Sequence, residues 1–307
     1  MMNIDRAGFI GLGNMGGRMT RRLVDAGIAV RGYDTDTARA AAAGAQAAAS
    51  LREVAEYGDV LLLSLPDSRV VEAVVEGRDG LLAHCRAGQT VIDLSTSAAT
   101  STRRLHGLFN ARGVAYIDAG ISGGAAAAEK GALTLMVGGE AAAIDAVQWV
   151  FRPIAAKVVN MGDSGTGHTA KLLNNFLNAV SLAATSEVMV AAKKAGLDLH
   201  SLLEVLNSSS GVNFATLNRF PKIVDGDYLD GGLTSRLMTK DVVLYTDLTH
   251  ELGVASLNAA GPLASFGLAS ALGYGDKISN RVVDAIGDIC GGIRLYDAGP
   301  TLEGEHT

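Results

Sequence analysis

The sequence predicts a doubly wound α/β domain, then a long linking helix and an all-α domain. Three observations carry this. In the first half, short apolar runs alternate with amphipathic stretches, as in a sheet covered by helices on both faces. Near residue 162 the turn Gly162-Asp163-Ser164-Gly165-Thr166-Gly167 precedes a run over 169–195 that holds neither Gly nor Pro. Beyond it, helical patterns continue and strand patterns do not.

Strands are expected over 7–10, 29–33, 60–65, 90–93, 115–118, 133–137 and 157–160. Segment 60–65 is apolar almost throughout, as a strand buried on both faces should be. Between the strands, helices are expected over 15–26, 51–57, 100–110 and 141–150, with Ser50 and Glu53 spaced as a capping box. The run over 169–195 would span roughly 40 Å at 1.5 Å per residue. Helices follow over 199–207, 213–220, 235–252, 262–272 and 280–289. The domains are therefore expected at 1–162 and 163–299, the second opening with the long helix, and 300–307 is expected to be a flexible tail.

Composition narrows the function classes. The 307 residues are 48% hydrophobic, enough for a sizeable core, and 26 basic against 32 acidic residues leave a net charge of -6. That balance argues against a nucleic-acid partner. No apolar run reaches the length of a membrane span, and strand-like sequence follows the first residues at once, so neither membrane nor leader is expected. Cys85 and Cys290 form no framework, and the six histidines show no metal-ligand spacing, so no metal is expected. A reducing cytoplasm is the simplest home.

Gly11-Leu12-Gly13-Asn14-Met15-Gly16 follows the first strand and opens the first helix. This is G-x-G-x-x-G in its required setting: glycines allow a tight turn and the close approach of a pyrophosphate, held by backbone N–H groups and the helix end. The first domain is thus expected to be of Rossmann type and to bind a dinucleotide. Asp34 closes the second strand, near the spacing of the acid that bonds a ribose 2′-hydroxyl. Its charge would repel a 2′-phosphate and favours NAD, while Arg31 and Arg39 keep NADP open. The plainer role for such an acid, capping the next helix, is equally within reach of Thr35 or Asp36.

Lys171, Asn175 and Asn178 share one face of the long helix, with Asn174 beside them. A solvated stripe is the ordinary reading of such residues. Here the helix is otherwise apolar and begins at a domain junction, where substrates commonly bind. A lysine desolvated there can exchange protons near neutral pH. Ser122-Gly123-Gly124 offers N–H groups and a hydroxyl to an anion, or is simply a tight turn. Residues 120–124 also fit the G-x-S-x-G hydrolase elbow, but His250 lies in a helical pattern and His306 in the tail, so the late histidine that elbow needs is missing.

Taken together, these segments resemble the β-hydroxyacid dehydrogenase family, which includes 3-hydroxyisobutyrate dehydrogenase and tartronate semialdehyde reductase. The likeness adds Asp93-Leu94-Ser95-Thr96, Asp118 leading to Gly124, the stretch from Gly131 to Gly139, and Lys240-Asp241. It implies a nucleotide-binding domain, a linking helix, and a helical domain like that of 6-phosphogluconate dehydrogenase. It also implies a homodimer or homotetramer packed through the helical domain. Lys171 would be the general acid/base, Asn175 would hold the substrate, and Ser122, Gly123 and Gly124 would receive its carboxylate. Thr96 would lie beside nicotinamide and substrate, Lys240 on the cofactor side, and Leu65 and Pro66 by the adenosine. The expected activity is hydride transfer between a nicotinamide cofactor and a small β-hydroxyacid or its semialdehyde. An imine reductase of the same fold and a non-catalytic dinucleotide-binding protein are the alternatives, and intact Lys171 and Asn175 speak against both.

Three positions depart from the family pattern. Gly120 and Ala99 stand where proline is usual, and Leu233 where an aromatic is. Read as a loosened wall, they predict a substrate more polar or bulkier than 3-hydroxyisobutyrate, with Asn174 or Asn178 available to bond extra hydroxyls.

Overall fold

The fold is that of a computed structural model, which describes residues 6–296. The tail expected at 300–307, with His306, lies outside them. By contacts the chain divides into two compact units, one ending at Leu173 and the other beginning at Asn174. The division thus falls later than residue 162, inside the long helix.

The first unit is built on eight strands: β1 (Arg6–Ile10), β2 (Ala29–Tyr33), β3 (Gln46–Ala47), β4 (Val60–Leu63), β5 (Thr90–Asp93), β6 (Ala115–Ser122), β7 (Leu133–Gly138) and β8 (Ala155–Gly162). They form one sheet in the order β3-β2-β1-β4-β5-β6-β7-β8. Its helices are α1 (Asn14–Asp25), α2 (Ala38–Ala42), α3 (Leu51–Tyr57), α4 (Ser68–Glu76) and α5 (Leu81–His84). After them come α6 (Ala99–Asn110), α7 (Gly124–Glu129), α8 (Ala141–Ala146) and α9 (Gln148–Phe151). Successive strand residues feed opposite faces, as the period of two requires. Phe9, Leu62, Ile92 and Ile117 enter one core, while Ile10, Leu61, Leu63, Val91 and Tyr116 enter the other. The sheet is therefore covered on both sides.

One pairing differs from the expected parallel order. β6 and β7 run antiparallel, with Gly120 opposite Met136. The link between them, residues 123–132, is shorter than the dozen or so residues a parallel crossover needs, so the chain can only return. This pairing also carries β6 past the expected end at 118, to Ser122.

The long helix α10 spans Thr166–Lys194, 29 residues, and stops where Gly196 takes a left-handed φ of +74°. The second unit adds α11 (Leu199–Asn207), α12 (Phe214–Asn218), α13 (Phe220–Ile223), α14 (Ser235–Glu251), α15 (Ala260–Ala269) and α16 (Val282–Ile289). Its core gathers Phe176, Leu182, Met189, Phe220, Met238, Phe266 and Val282. Among the described residues no helix is long and apolar enough to cross a membrane.

Candidate active site

At the end of β1 the chain turns at Gly11, whose φ of +86° disfavours any side chain. A Cβ there would lie 2.3 Å from the Ser64 carbonyl oxygen, and one on Gly16 would lie 1.9 Å from the Gly11 oxygen. Both obstacles are backbone and cannot yield. Gly13 is different: a Cβ there meets only the tip of Arg39, 3.6 Å away. Gly13 caps α1 without a side-chain bond, and the first turn, with Asn14 and Met15, holds no acid. The cradle therefore fits a pyrophosphate, which would take the backbone N–H groups and the positive helix end.

Asp34 reaches back from β2 to this loop. Its carboxylate accepts the Leu12 N–H at 2.7 Å and the Asp36 N–H at 2.9 Å. Arg39 stands 3.6 Å from it and also pairs with Asp36 at 3.3 Å. Burial raises the Asp34 carboxyl, but the two N–H groups and the Arg39 guanidinium outweigh it and hold the pKa below its ordinary value. The acid is ionised beside the loop, with lone pairs left for ribose hydroxyls. Attraction and repulsion for a 2′-phosphate stand at the same corner.

β4 and β5 end side by side. The Leu65 N–H donates to Ser95 Oγ at 3.0 Å, tying the turn of Leu65 and Pro66 to that of Thr96. Asp93, fully buried, accepts the Ser95 N–H at 2.9 Å and the Ser97 and Tyr116 hydroxyls at 3.1 Å each. Burial, and then the Asp93 charge, push the Tyr116 phenol well up, so it stays a donor.

Lys171 lies near the start of α10, against β6. An added Cβ on Gly120 would lie 2.5 Å from Lys171 Cβ. One on Gly167 would meet the Met136 carbonyl at 2.4 Å, and one on Gly138 would meet Gly167 N at 2.8 Å. Three glycines thus let the first turns of α10 press on the backbones of β6 and β7. The helix end is capped from outside its own sequence: Asp118 accepts the Gly165 N–H at 2.7 Å and the His168 N–H at 2.8 Å. Ser122 ends the same strand, and Gly123 and Gly124, at φ of +126° and +69°, turn the chain into α7. Ser122 pairs with Thr134 in the ladder, so it is a strand residue and not the crest of a hydrolase elbow.

In the second unit, Asn175 is 3% exposed and its amide N–H donates to the Asp241 carboxylate. Asn174 donates to Asn175 Oδ1 at 3.2 Å, and Lys240 Nζ lies 3.1 Å from Asp241 Oδ1. Asp241 therefore joins the expected lysine and asparagine within one cluster. Arg219 gave no sign in the sequence. It donates to Asn178 Oδ1 at 2.9 Å and to Asn280 Oδ1 at 2.8 Å, and burial lowers it to about 10.

The loosened wall is corrected. Gly120 sits inside the β6–β7 ladder and marks a close approach, not slack. Ala99 is buried at the start of α6, where the Ala98 N–H is held by Ser68 Oγ at 2.8 Å. Leu233 packs against the helical core, and its carbonyl accepts the Ser279 N–H at 2.8 Å. The Asn178 side-chain oxygen, Oδ1, already accepts from Arg219. Residues missed by sequence reasoning are His168, the anchoring roles of Asp93 and Asp118, and Arg219. An acid following an apolar run at the expected end of a strand, twice over at Ile92-Asp93 and Ile117-Asp118, was the available signal.

The glycine cradle and Asp34 fit a dinucleotide, and comparison with known proteins narrows the class. Residues 6–162 match the NAD binding domain of 6-phosphogluconate dehydrogenase, and residues 165–285 match the NAD-binding domain of NADP-dependent 3-hydroxyisobutyrate dehydrogenase. The chain is 34% identical to 2-(hydroxymethyl)glutarate dehydrogenase of Eubacterium barkeri, covering 91% of this chain and 93% of that one. It is 37% identical to the NAD-dependent L-serine dehydrogenase of Pseudomonas aeruginosa, covering 85% and 89%. The structure of Mycobacterium tuberculosis 3-hydroxyisobutyrate dehydrogenase with L-serine superposes with a TM-score of 0.84 at 30% identity, covering 92% and 99%. An imine reductase from Pseudomonas, at 20% identity and a TM-score of 0.62, shares the fold alone. The chain belongs to the β-hydroxyacid dehydrogenase family. It is an oxidoreductase of CH–OH groups, passing hydride between a small hydroxyacid and a nicotinamide dinucleotide.

Proposed function

We propose that the substrate is a small, polar 3-hydroxyacid of the serine class, that NAD is the preferred cofactor, and that Lys171 moves the proton. The observation that carries the lysine is its seat on α10: backbone contacts at Gly120 and Gly167, and a buried carboxylate at the helix end, hold it before any ligand arrives. Such preorganisation is what a proton-transfer group needs. When bound, the nicotinamide supplies the hydride acceptor or donor. Lys171 accepts the hydroxyl proton in oxidation and returns it in reduction. Ser122 and the N–H groups of Gly123 and Gly124 receive the carboxylate, Thr96 borders the reacting carbon, and Asn175, oriented by Asp241, bonds the substrate. Lys240 supplies positive charge on the cofactor side.

The serine class is supported by the relatives from P. aeruginosa and M. tuberculosis, whose activity or bound molecule is L-serine. The preference for NAD is supported by the ionised Asp34. The test is kcat/KM for L-serine, 3-hydroxyisobutyrate, 2-(hydroxymethyl)glutarate and L-threonate with both cofactors, read at the nicotinamide absorbance. L-serine with NAD should rank first. If 3-hydroxyisobutyrate leads, the substrate reading is wrong, and dinucleotide binding without turnover of any hydroxyacid would mark a sensor. The helical part is proposed to serve substrate binding and assembly into a dimer or tetramer, supported by exposed Leu257, Leu272 and Ile289. Light scattering that gives a monomer mass at micromolar concentration rules this out. Cytoplasmic residence is proposed on the two free cysteines, checked by fractionation.

A further inference from the structure

A wholly buried polar hub lies in the first unit, and the proposed reaction does not use it. Asp93, Asp118, His168 and Thr102 are each 0% exposed. The hub touches three segments that carry proposed site residues. Asp93 shapes the turn before Thr96 through Ser95 and Ser97. Asp118 lies on the strand that leads to Ser122 and caps the helix that carries Lys171. His168 joins them: Nε2 lies 3.1 Å from the Asp93 carbonyl oxygen, and Nδ1 lies 2.7 Å from Thr102 Oγ1 on α6.

The roles of the two ring nitrogens follow from their partners. A carbonyl can only accept, so Nε2 carries the proton. Nδ1 then accepts from the Thr102 hydroxyl, whose oxygen also lies 3.1 Å from the Ala98 carbonyl. The single Thr102 hydroxyl proton then serves Nδ1, and the Ala98 carbonyl keeps the Thr102 backbone N–H at 3.0 Å.

Asp118 and His168 constrain α10 differently. The Gly165 and His168 N–H groups run along the helix axis, so bonds to Asp118 fix the helix end but resist rolling weakly. The His168 ring is bonded across the axis and sits three residues before Lys171, on the same face. At a side-chain radius of about 5–6 Å, a roll of about 10° moves a tip by about 1 Å. Misplacement of that size costs a reacting group about a hundredfold in rate.

We propose that His168 is a positioning residue for Lys171, setting the roll of α10 through the Asp93 carbonyl and Thr102. This rests on Lys171 being the proton-transfer residue, and the experiment separates the two. In the full-length enzyme, His168→Leu, His168→Gln and Thr102→Val are each made alone and with Lys171→Ala. For each variant kcat, both KM values, NADH binding by fluorescence, and Tm are measured. His168→Leu should lower kcat about 10- to 100-fold and leave the KM for NAD and NADH binding within about twofold. His168→Gln, whose amide can donate to Asp93 and accept from Thr102, should recover all but about threefold of the loss. In the Lys171→Ala background, His168→Leu should change the residual rate less than about twofold, because a lost partner cannot be mispositioned.

An equal loss in both backgrounds overturns the inference, as does an unchanged kcat with a lowered Tm. Near-normal turnover in Lys171→Ala alone would instead overturn the reading of Lys171. Should His168→Leu fail to fold, Thr102→Val decides. It should lower kcat about three- to tenfold with the same dependence on Lys171, and an unaltered kcat sinks the proposal.

Discussion

Two glycine-rich turns in this protein do the same local work to opposite ends. At residues 11–16, glycines bring the start of α1 close to β1 and β4, and that start has no side-chain cap. At residues 162–167, glycines bring the start of α10 onto β6 and β7, and there Asp118 supplies the anion from within. A helix N-terminus attracts negative charge in either case. Where the protein provides the charge, the helix is fixed before a ligand binds, which suits the seat of a proton-transfer group. At α1, where Asp34 bonds the Leu12 N–H of the turn but no side chain caps the helix itself, a phosphate can provide it, which suits a cofactor site.

The largest effect tests what the internally capped helix is for. Lys171→Ala should lower kcat by about two to four orders of magnitude, with NADH binding little changed. Near-normal turnover would leave α10 a well-anchored helix with no catalytic task, and the comparison would lose its functional half.

A crossed pair of substitutions sharpens it. Asp118→Asn leaves one acceptor for two buried N–H groups, so Tm should fall and kcat should drop about tenfold, the KM for NAD holding within about twofold. Gly13→Ala meets only the tip of Arg39, so Tm should hold while the KM for NAD rises about tenfold, the new methyl standing where the pyrophosphate approaches. If Gly13→Ala leaves the KM for NAD unchanged, the first turn is not the phosphate cradle.

The two turns were unequally legible in the sequence. The first obeys a local rule: strand, glycines at fixed offsets and helix lie within a few residues, and Asp34 follows at the distance of one βαβ step. The second depends on Asp118 meeting residues 47 and 50 positions away, and on His168 meeting Asp93 across 75. No periodicity encodes such pairs. The extent of β6 was hidden for a related reason. Ala119-Gly120-Ile121-Ser122 has weak strand propensity, and its antiparallel partner β7 defines it. Gly120 read as a lost proline suggests looseness, and only its contact with Lys171 shows the reverse. The long helix, by contrast, was legible because its freedom from Gly and Pro is a property of the run itself.

Cofactor choice probes the open turn further. Asp34 repels a 2′-phosphate and Arg39 attracts one at the same corner. Asp34→Ala should narrow or reverse the preference for NAD by about tenfold in the ratio of kcat/KM values, and Arg39→Ala should cost NADP more than NAD. Wild-type enzyme that already prefers NADP tenfold or more, roughly 1.4 kcal/mol, contradicts the assignment.

The smallest effect concerns stability, and its sign separates Asp34 as a fold element from Asp34 as a ligand site. Burial alone would raise this carboxyl, but the Asp36 and Leu12 N–H groups and Arg39 leave it below the ordinary 3.8. A carboxyl whose folded pKa is depressed adds stability above its unfolded pKa and loses it as pH falls through the folded one. Wild type should therefore exceed Asp34→Asn above about pH 5, and the two curves should converge below about pH 3. The gap should be about 1 kcal/mol or less, because Arg39 is half-exposed and solvent screens its part. Denaturant titrations of both proteins across that range measure it directly. A gap that persists unchanged at the acid end means the two N–H bonds survive protonation. Asp34 would then hold the loop as a neutral acceptor, and its charge would matter to the cofactor alone.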